Sequence, residues 1–500
     1  MRSLYILIRC KLGFLFLLLQ PHIKTNNVMT LKQLTLILAF IAPHMAAATE
    51  YTVSPGDNLA TAIGKLQAGD VLYLADGQYD LTSTLEIKCK GDADHMITIA
   101  AAADGAKPVI DFRGQALGSN GIKVGGQYLH LRDITIRYAG KKGIWLEGAQ
   151  YCILERLDVY GCCDSGIQLR SGGHNTVVNC DSHDNFDYQN KGGNADGFAD
   201  KQGNACSGNV YIGCRAWGNS DDGWDSYQRV TSGTPTVYIN CITYNNGRAT
   251  FDLSQHPRAL GVDASRFEGQ DLSAVANGGN PNGFKLGGDG TAHNAELYRC
   301  LSVGHRSKGF DQNNNAGQMK IVNCTAFANK INYGFGNDYA YTLDIHNCIS
   351  LDAVDSDIKT HASGTVSQSH NSWLAGFSAA DDDFESLEVE GLLLSPRNAD
   401  GTLAETLLLH LKNTANGLID KGMVYDKTQF EGDAIAGYVS YNGTAPDLGC
   451  YETARSSTGI FGEVFDASQL NPNVPIYDLN GRRVSSTYRG LKIQNGRKFQ

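Results

Sequence analysis

The chain has 500 residues, more than one ordinary hydrophobic core usually takes, and 42% of them are hydrophobic against 19% charged. This composition provides a large core and excludes global disorder, while 57 glycines without a collagen-like period indicate many tight turns. The net charge of −10 argues against nucleic acid as the main partner, and an anionic ligand would need a cation to mediate its binding.

Residues 1–48 have the features of a targeting segment. Met29 is followed by a lysine, an apolar run from Leu34 to Ile41 and three alanines at 46–48. This is the order of a secretory signal peptide. We therefore interpret Met29 as the true start and expect an exported protein, secreted, periplasmic or on the cell surface. No apolar run in the chain reaches the roughly 18–20 residues of a membrane span, so no transmembrane segment is expected.

After this segment, a glycine followed by an apolar residue recurs along the chain. The pairs are Gly121-Ile122, Gly143-Ile144, Gly166-Ile167, Gly197-Phe198, Gly223-Trp224, Gly283-Phe284, Gly309-Phe310 and Gly334-Phe335. Successive glycines are 22 to 31 residues apart, except for one step of 60. Repetition at such a period is typical of a solenoid, in which each repeat forms one structural unit.

Two further residue types recur in the same units. Cysteines lie in similar local sequences at positions 180, 214, 241, 300, 324 and 348, and asparagines follow five residues later at 185, 219, 246 and 329, with His305 interrupting the series. We interpret the cysteines as a buried stack of small apolar side chains. Disulfides are the alternative in an exported protein. The asparagines suit a stack of turns whose side-chain amides hydrogen-bond to one another.

The runs within each unit are short and rich in β-forming residues, and no amphipathic helix fits beside them in 22–26 residues. Helical repeats of similar period therefore fit poorly, and the L-x-x-L-x-L frame of a leucine-rich repeat is absent. The sequence predicts an all-β fold, a parallel β-helix over residues 49–455, with three short strands per coil and coils about 4.8 Å apart. The 60-residue step carries an insertion at about 247–278, and residues 456–500 are expected to form a small separate β tail.

The repeat register predicts where polar side chains meet. Two positions after the glycine, Asp225 and Lys285 should lie on neighbouring coils and point outward, because strand side chains alternate. One position before it, Asp196 and Asp222 should stack, with Asp221 beside them, provided that the glycine marks a bend. Four carboxylates so placed favour a Ca²⁺ ion, which binds oxygen ligands at 2.3–2.6 Å. Solvated surface carboxylates are the ordinary alternative.

Other metal and nucleotide motifs do not fit. The stretch from Asp311 to Asn315 has Ala316 where an EF-hand needs glycine and Val322 where it needs glutamate. The sequence shows no zinc-type spacing of histidine and cysteine, no P-loop and no G-x-S-x-G motif.

Three segments in this order, NADGFADK, SDDGWDSY and NGFKLGG, closely resemble polysaccharide lyase family nine, the calcium-dependent pectate lyases and rhamnogalacturonan lyases. The resemblance covers roughly residues 50–455 and implies a right-handed parallel β-helix. In that family the four aspartates bind calcium and the lysine is the catalytic base. These roles map to the aspartates 196, 221, 222 and 225 and to Lys285.

The resemblance implies calcium-assisted β-elimination on an acidic pectic polysaccharide by a protein that we expect to be monomeric. The insertion, with His256, Arg258 and Arg266, could reshape the substrate groove and slightly favours rhamnogalacturonan-I over homogalacturonan. Lys201, Arg306, Lys308 and His256 are candidates for further substrate contacts, and each has an ordinary surface role as its alternative.

Two other functional classes stay open on the residues alone. In a glycoside hydrolase, the aspartates could act as acid and base without a metal. In a non-catalytic glycan-binding solenoid, they would hold structural calcium. Lys285 in the column of Asp225 favours the lyase, because neither alternative needs a base there.

Overall fold

The structure is a computed structural model that describes residues 48–103, 105–203, 207–231, 233–247, 260–270, 272, 279–425 and 439–453, together with the backbone of four short strands between 476 and 499. The predicted signal peptide, His256, Arg258 and most of the tail lie outside these residues. Thr49–Gln500 forms one compact unit.

Three parallel sheets, A, B and C, run side by side along this unit, with the strands numbered in chain order. Sheet A comprises β1 (Glu50–Val53), β2 (Val71–Leu74), β5 (Ile97–Ala101), β8 (Leu129–Arg132), β11 (Ile153–Glu155), β14 (Thr176–Val178), β17 (Val210–Ile212), β20 (Thr236–Ile239), β23 (Ala295–Tyr298), β26 (Gln318–Val322), β29 (Thr342–His346) and β32 (Thr365–Ser369). Sheet B comprises β3 (Gly77–Asp80), β6 (Pro108–Asp111), β9 (Thr135–Arg137), β12 (Asp158–Tyr160), β15 (Asp181–His183), β18 (Arg215–Trp217), β21 (Ile242–Tyr244), β24 (Leu301–Val303), β27 (Thr325–Phe327) and β30 (Ile349–Leu351). Sheet C comprises β4 (Leu85–Ile87), β7 (Ile122–Val124), β10 (Ile144–Gln150), β13 (Ile167–Gly173), β16 (Phe198–Asp200), β19 (Trp224–Asp225), β22 (Phe284–Lys285), β25 (Lys308–Asp311), β28 (Ile331–Phe335) and β31 (Ser356–Thr360).

Except at the ends of each sheet, every strand pairs with the strand one coil before and the strand one coil after it, which confirms the predicted parallel β-helix with three strands per coil. The apolar residue after each glycine points into the interior of the coil. There the rings form a continuous stack, with centroids 4.6 Å apart for Phe198 and Trp224 and 4.8 Å apart for Trp224 and Phe284. The core of the solenoid therefore follows directly from the repeat.

One predicted pair is out of register. Phe310 pairs with Tyr333 and Asp311 pairs with Gly334, so Gly334-Phe335 lies two residues beyond the position expected of it. Tyr333 continues the ring stack, 5.0 Å from Phe310. The prediction was wrong at this coil because it took the position of the glycine as the guide to strand register. The register is instead set by the buried ring of Tyr333, which continues the stack.

The cysteine and asparagine columns are both present as ladders. The six repeated cysteines are buried and free, and none of the described cysteines forms a disulfide. In the other ladder, the Nδ2 of Asn185 donates to Oδ1 of Asn219 at 2.8 Å, and the Nδ2 of Asn219 donates to Asn246 at 2.8 Å. His305 replaces asparagine without breaking the ladder, because its ring nitrogens lie 3.3 Å from Nδ2 of Asn246 and 2.9 Å from Oδ1 of Asn329.

The ends and one side of the solenoid are covered by non-repeating chain. The helix α1 (Leu59–Ile63) buries its two terminal side chains at the first coils, and the side chain of Asn58 caps it by accepting from the N–H of Thr61 at 2.9 Å. After a 3₁₀ turn at Asp381–Asp383, residues 384–419 and 448–451 contribute apolar side chains that pack on the outer face of sheet B. The tail strands β33 (Ile476–Tyr477), β34 (Arg483–Val484), β35 (Lys492–Gln494) and β36 (Arg497–Phe499) form an antiparallel sheet.

The described part of the insertion packs on coils that come earlier in the chain. Its 3₁₀ turn, Ala264–Phe267, places the ring of Phe267 5.6 Å from Phe186 and 5.7 Å from Tyr188. Arg266 donates to the carbonyl oxygen of Tyr138 at 2.7 Å. The insertion therefore reaches back along the outside of the solenoid. Among the described residues, no helix is long and apolar enough to cross a membrane.

Candidate active site

The predicted site lies on the outer face of sheet C. Asp225 pairs with Lys285 on the next coil, and Ala199 occupies the same column one coil earlier. The register that the sequence predicted for this column is therefore confirmed. Lys285 in turn pairs with Asp311.

The glycine before each of these strands marks the bend that the prediction required. A Cβ added to Gly223 would lie 2.1 Å from Oγ1 of Thr243 and 3.0 Å from Nδ2 of Asn246, both inside the coil. Trp224 also points inward, so the normal alternation is interrupted at the glycine. Asp222 on its other side can therefore face outward beside Asp225.

Three carboxylates converge at this bend. Asp196, Asp222 and Asp225 each offer an oxygen atom, and these atoms lie within 4.8 Å of one another. The N–H of Asp222 donates to Oδ1 of Asp196 at 3.4 Å, which links the two coils. Asp221 is buried beside them, but one of its oxygens accepts the N–H of Asn280.

Two lysines neutralise part of the cluster. The Nζ of Lys285 lies 2.9 Å from Asp222 and 3.2 Å from Asp225. The Nζ of Lys201 lies 2.7 Å from Asp196 and 2.9 Å from Asp225. All five residues are buried, and the side chains of Lys285 and Lys201 are only 9% and 8% exposed. With Asp221, the site holds four carboxyl groups and two amino groups.

Burial without full charge compensation perturbs these groups strongly. Burial raises the pKa of Asp196 to about 6 and, with the charge of Asp196, that of Asp221 to about 8. It also raises the pKa of Asp222, although Lys285 opposes the shift. For Asp225 the two lysines outweigh burial and lower the pKa. Three of the four carboxyl groups are therefore harder to ionise than usual, and a further cation would stabilise their charged forms.

The same charges act on the proposed base. Burial lowers the pKa of Lys285, but the carboxylates of Asp222 and Asp225 outweigh this effect and hold the pKa well above its usual value. A lysine that acts as a general base needs a pKa lowered from its usual value, and of these influences only burial acts in that direction. A cation bound to those carboxylates would neutralise the negative charges that stabilise the ammonium form of Lys285, and would therefore lower its pKa.

The donor set fits a hard divalent cation. Calcium takes carboxylate oxygens at 2.3–2.6 Å, so two of its ligands can lie up to about 5 Å from each other. The 4.8 Å spread of the three oxygens meets this limit. Four ionised carboxylates and two ammonium groups would also leave two negative charges, which one divalent ion balances.

The other predicted contact residues lie outside the cluster. Arg306 donates through Nε to the carbonyl oxygen of Gly247 at 2.8 Å. The Nζ of Lys308 lies 2.7 Å from Asp311. Both cations already have partners on the protein, and their contacts to substrate stay predictions.

Two supporting residues were missed by the sequence reasoning although they lie in the column before the glycines. Ser165 donates to Oδ2 of Asp196 at 2.8 Å, one coil before it. Asn282 donates through Nδ2 to Oδ1 of Asp222 at 2.9 Å, one coil after it. Their position in the repeat could have revealed them, because a polar side chain directly before the glycine faces the aspartate at the same position on the neighbouring coil.

Comparison with known proteins identifies the family. Residues 39–347 match the family model described as "Pel9A-like, right handed beta helix region". The chain belongs to this family. Pectate lyase L of Dickeya dadantii (strain 3937) is 33% identical over 414 residues, which are 79% of this chain and 85% of that protein. Pectate lyase L of Paenibacillus polymyxa (strain SC2) is 30% identical over 388 residues, 73% of this chain and 79% of that protein.

Solved structures agree with the fold. The crystal structure of pectate lyase Pel9A is 31% identical, with a TM-score of 0.68, and the match covers 82% of this chain and 98% of that one. A rhamnogalacturonan lyase is 22% identical with a TM-score of 0.60, covering 74% and 98%, and at this identity it supports the fold alone. The predicted right-handed β-helix and the predicted membership of polysaccharide lyase family nine are both confirmed, and the chain is a polysaccharide lyase.

Proposed function

We propose that this chain is an exported pectic lyase that cleaves galacturonic-acid-containing backbone by calcium-assisted β-elimination, with Lys285 as the base. The observation that supports it most is the juxtaposition of the three carboxylates with Lys285, whose Nζ lies 2.9 Å from Asp222. Asp196, Asp222 and Asp225 would hold the ion, with Asp221 as the fourth ligand that the family resemblance implies.

When bound, calcium would withdraw charge from the uronate carboxylate and acidify the proton on C5. Lys285, in its neutral form, removes that proton and becomes an ammonium group. The electrons of the C5–H bond form the C4–C5 double bond, and the C4–O bond breaks with its electrons on the leaving oxygen, which then takes a proton. Ser165 and Asn282 hold the carboxylates of Asp196 and Asp222 in place through their hydrogen bonds.

Incubation of the purified protein with polygalacturonate in the presence of Ca²⁺ tests the reaction class. A lyase produces an unsaturated uronate whose ultraviolet absorbance increases with time. A glycoside hydrolase would release reducing ends without this absorbance, and a binding solenoid would release neither. Either of these outcomes contradicts the proposal.

For the backbone, relatives of 30–33% identity are named pectate lyases, which supports homogalacturonan as substrate. The insertion slightly favours rhamnogalacturonan-I, because alternating rhamnose requires a differently shaped groove. Parallel assays on polygalacturonate and on de-branched rhamnogalacturonan-I decide between them. A higher kcat/KM on the rhamnose-containing polymer would support the second substrate, and the reverse would exclude the preference.

A further inference from the structure

The proposed mechanism uses one of the two buried lysines of the site and leaves the other, Lys201, without a role. Lys201 follows β16 and places its Nζ between two coils, 2.7 Å from Oδ2 of Asp196 and 2.9 Å from Oδ2 of Asp225. Its side chain is 8% exposed and those of the two aspartates are 0% and 3% exposed. An ammonium group so enclosed is part of the cluster.

The oxygens that hold this ammonium group belong to the carboxylates that fit a divalent cation. Both oxygens of Asp225 contact a lysine, since Oδ1 lies 3.2 Å from Lys285 and Oδ2 lies 2.9 Å from Lys201. On Asp196, Oδ2 also accepts the hydroxyl of Ser165 at 2.8 Å, while Oδ1 lies 3.4 Å from the N–H of Asp222. A cation that binds Asp196 and Asp225 therefore meets Lys201 at the same atoms.

We infer that Lys201 is an internal competitor of calcium: its ammonium group occupies Asp196 and Asp225 in the metal-free protein and lowers the affinity of the site for the ion. This inference rests on the proposed calcium site and goes beyond it. Lys201 lowers the affinity for calcium, but it also compensates the buried charges of Asp196 and Asp225 when no metal is bound, so that the site stays folded. Removing one buried partner of an ion pair otherwise leaves an uncompensated charge, which is strongly destabilising.

The expected size of the effect follows from the charges. Even at the dielectric constant of water, a unit charge about 5 Å from a divalent ion changes its affinity by roughly tenfold. A partly buried site strengthens the effect. Substitution of Lys201 by the uncharged, similarly long methionine should therefore tighten calcium binding by at least about tenfold.

The experiment is calcium titration of the full chain by isothermal titration calorimetry after removal of bound metal. Three variants accompany the wild type. Lys201→Met should have a Kd at least about tenfold lower, and Lys201→Arg, which keeps the charge, should not bind more tightly than wild type. Lys142→Met is the control, because Lys142 forms a somewhat more exposed pair with Asp164 at 2.8 Å, one that involves none of the predicted ligands. Its Kd should stay within about threefold of wild type.

A second measurement separates competition from a merely structural ion pair. The calcium-dependent increase of the thermal unfolding midpoint should be larger in Lys201→Met than in wild type, because the variant loses stability only in the metal-free state. If Lys201→Met is folded only with calcium, its Kd is obtained by titrating the loaded protein with a chelator of known affinity. Unchanged or weaker binding by Lys201→Met overturns the inference. Absence of calcium binding by the wild type instead overturns the proposed function.

Discussion

At the scale of single residues, the charge balance of the site depends on which aspartates the ammonium groups of two lysines contact. Lys285 and Lys201 both carry a positive charge into a cluster of four buried aspartates and share Asp225, but Lys285 also contacts Asp222 whereas Lys201 also contacts Asp196. Lys285 is on the same rung as Asp225 and contacts Asp222. Lys201 comes after its strand and contacts Asp196. The family resemblance assigns the role of catalytic base to Lys285 and not to Lys201.

We predict that Lys285→Ala loses turnover by about 10²–10⁴-fold, the usual contribution of general-base catalysis, while polymer binding is retained. Lys285→Arg should not rescue the rate, because a guanidinium stays protonated at any working pH. Activity of the wild type should rise toward alkaline pH, since only the neutral amine accepts a proton. Steady-state kinetics across pH measure both effects, and near-normal turnover by the arginine variant would assign the base to another residue.

A second prediction concerns His183 on the outer face of sheet B. Its ring is stacked between those of Tyr160, at 5.0 Å, and Trp217, at 4.1 Å, and its nitrogens lie 2.7 Å from Asp184 and 3.1 Å from Asp158. Burial lowers the pKa of the imidazole, but the hydrogen bonds and charges of the two carboxylates outweigh it and raise the pKa to about 9.

Because this folded-state pKa lies above the ordinary value of 6.5, protonated His183 stabilises the fold fully below about pH 6.5, and the contribution is lost as the pH rises through about 9. Urea unfolding at a series of pH values should therefore show the wild type losing more stability between pH 6.5 and 9.5 than His183→Gln. Parallel pH dependence in the two proteins would contradict the prediction.

At the scale of the structural element, each coil is stabilised by contacts between its side chains and those at the same positions of the neighbouring coils. The ring stack, the cysteine ladder and the asparagine ladder each repeat one side chain at the coil spacing. Glycine is required where the chain bends at the site, since a Cβ on Gly223 would lie 2.1 Å from Thr243. The structure of a coil is thus specified by side chains that repeat from one coil to the next. The site lies where this repetition is interrupted by the bend at Gly223.

We predict that the cysteine ladder is chemically inert. Each of the six thiols is completely buried, and Cys214 and Cys348 donate to carbonyl oxygens of the preceding coil at 3.3 Å and 3.7 Å. A thiol reagent should therefore modify them only after denaturation, and mass analysis of the unreduced protein should find free thiols. Recovery of several of these cysteines in disulfide-linked peptides would overturn the ladder interpretation.

At the scale of the whole molecule, a metal that bridges two coils links activity to stability. Asp196 lies on one coil, and Asp222 and Asp225 lie on the next. A ligand that binds only the folded state raises the free energy of unfolding, by about 2.7 kcal/mol at a concentration 100 times its Kd. Calcium should therefore support both catalysis and resistance to heat.

We predict that exhaustive chelation abolishes activity and lowers the thermal midpoint, and that added Ca²⁺ restores both. Asp222→Asn, which keeps the side-chain volume but removes a charge, should lose activity and most of the calcium-dependent shift of the midpoint while its circular dichroism stays that of a β-helix. Differential scanning calorimetry and the ultraviolet assay measure the two effects. Full activity after chelation would remove the metal from the mechanism.

The amino-acid sequence by itself determined the fold class and the outward column of Asp225 and Lys285. In a solenoid, contacts between neighbouring coils repeat at a fixed spacing along the chain, so periodicity translates directly into register. The same logic failed at Gly334, where a buried tyrosine two residues away takes the position in the stack.

Tertiary structure alone decided which charges compensate one another. Long lysine side chains can reach either of two coils, and the sequence does not record that Lys201 contacts Asp196 and Asp225 rather than solvent or substrate. Nor does it record that the insertion packs back on Phe186. Such contacts depend on side-chain direction and on segments outside the repeat, where spacing along the chain no longer reports distance in space.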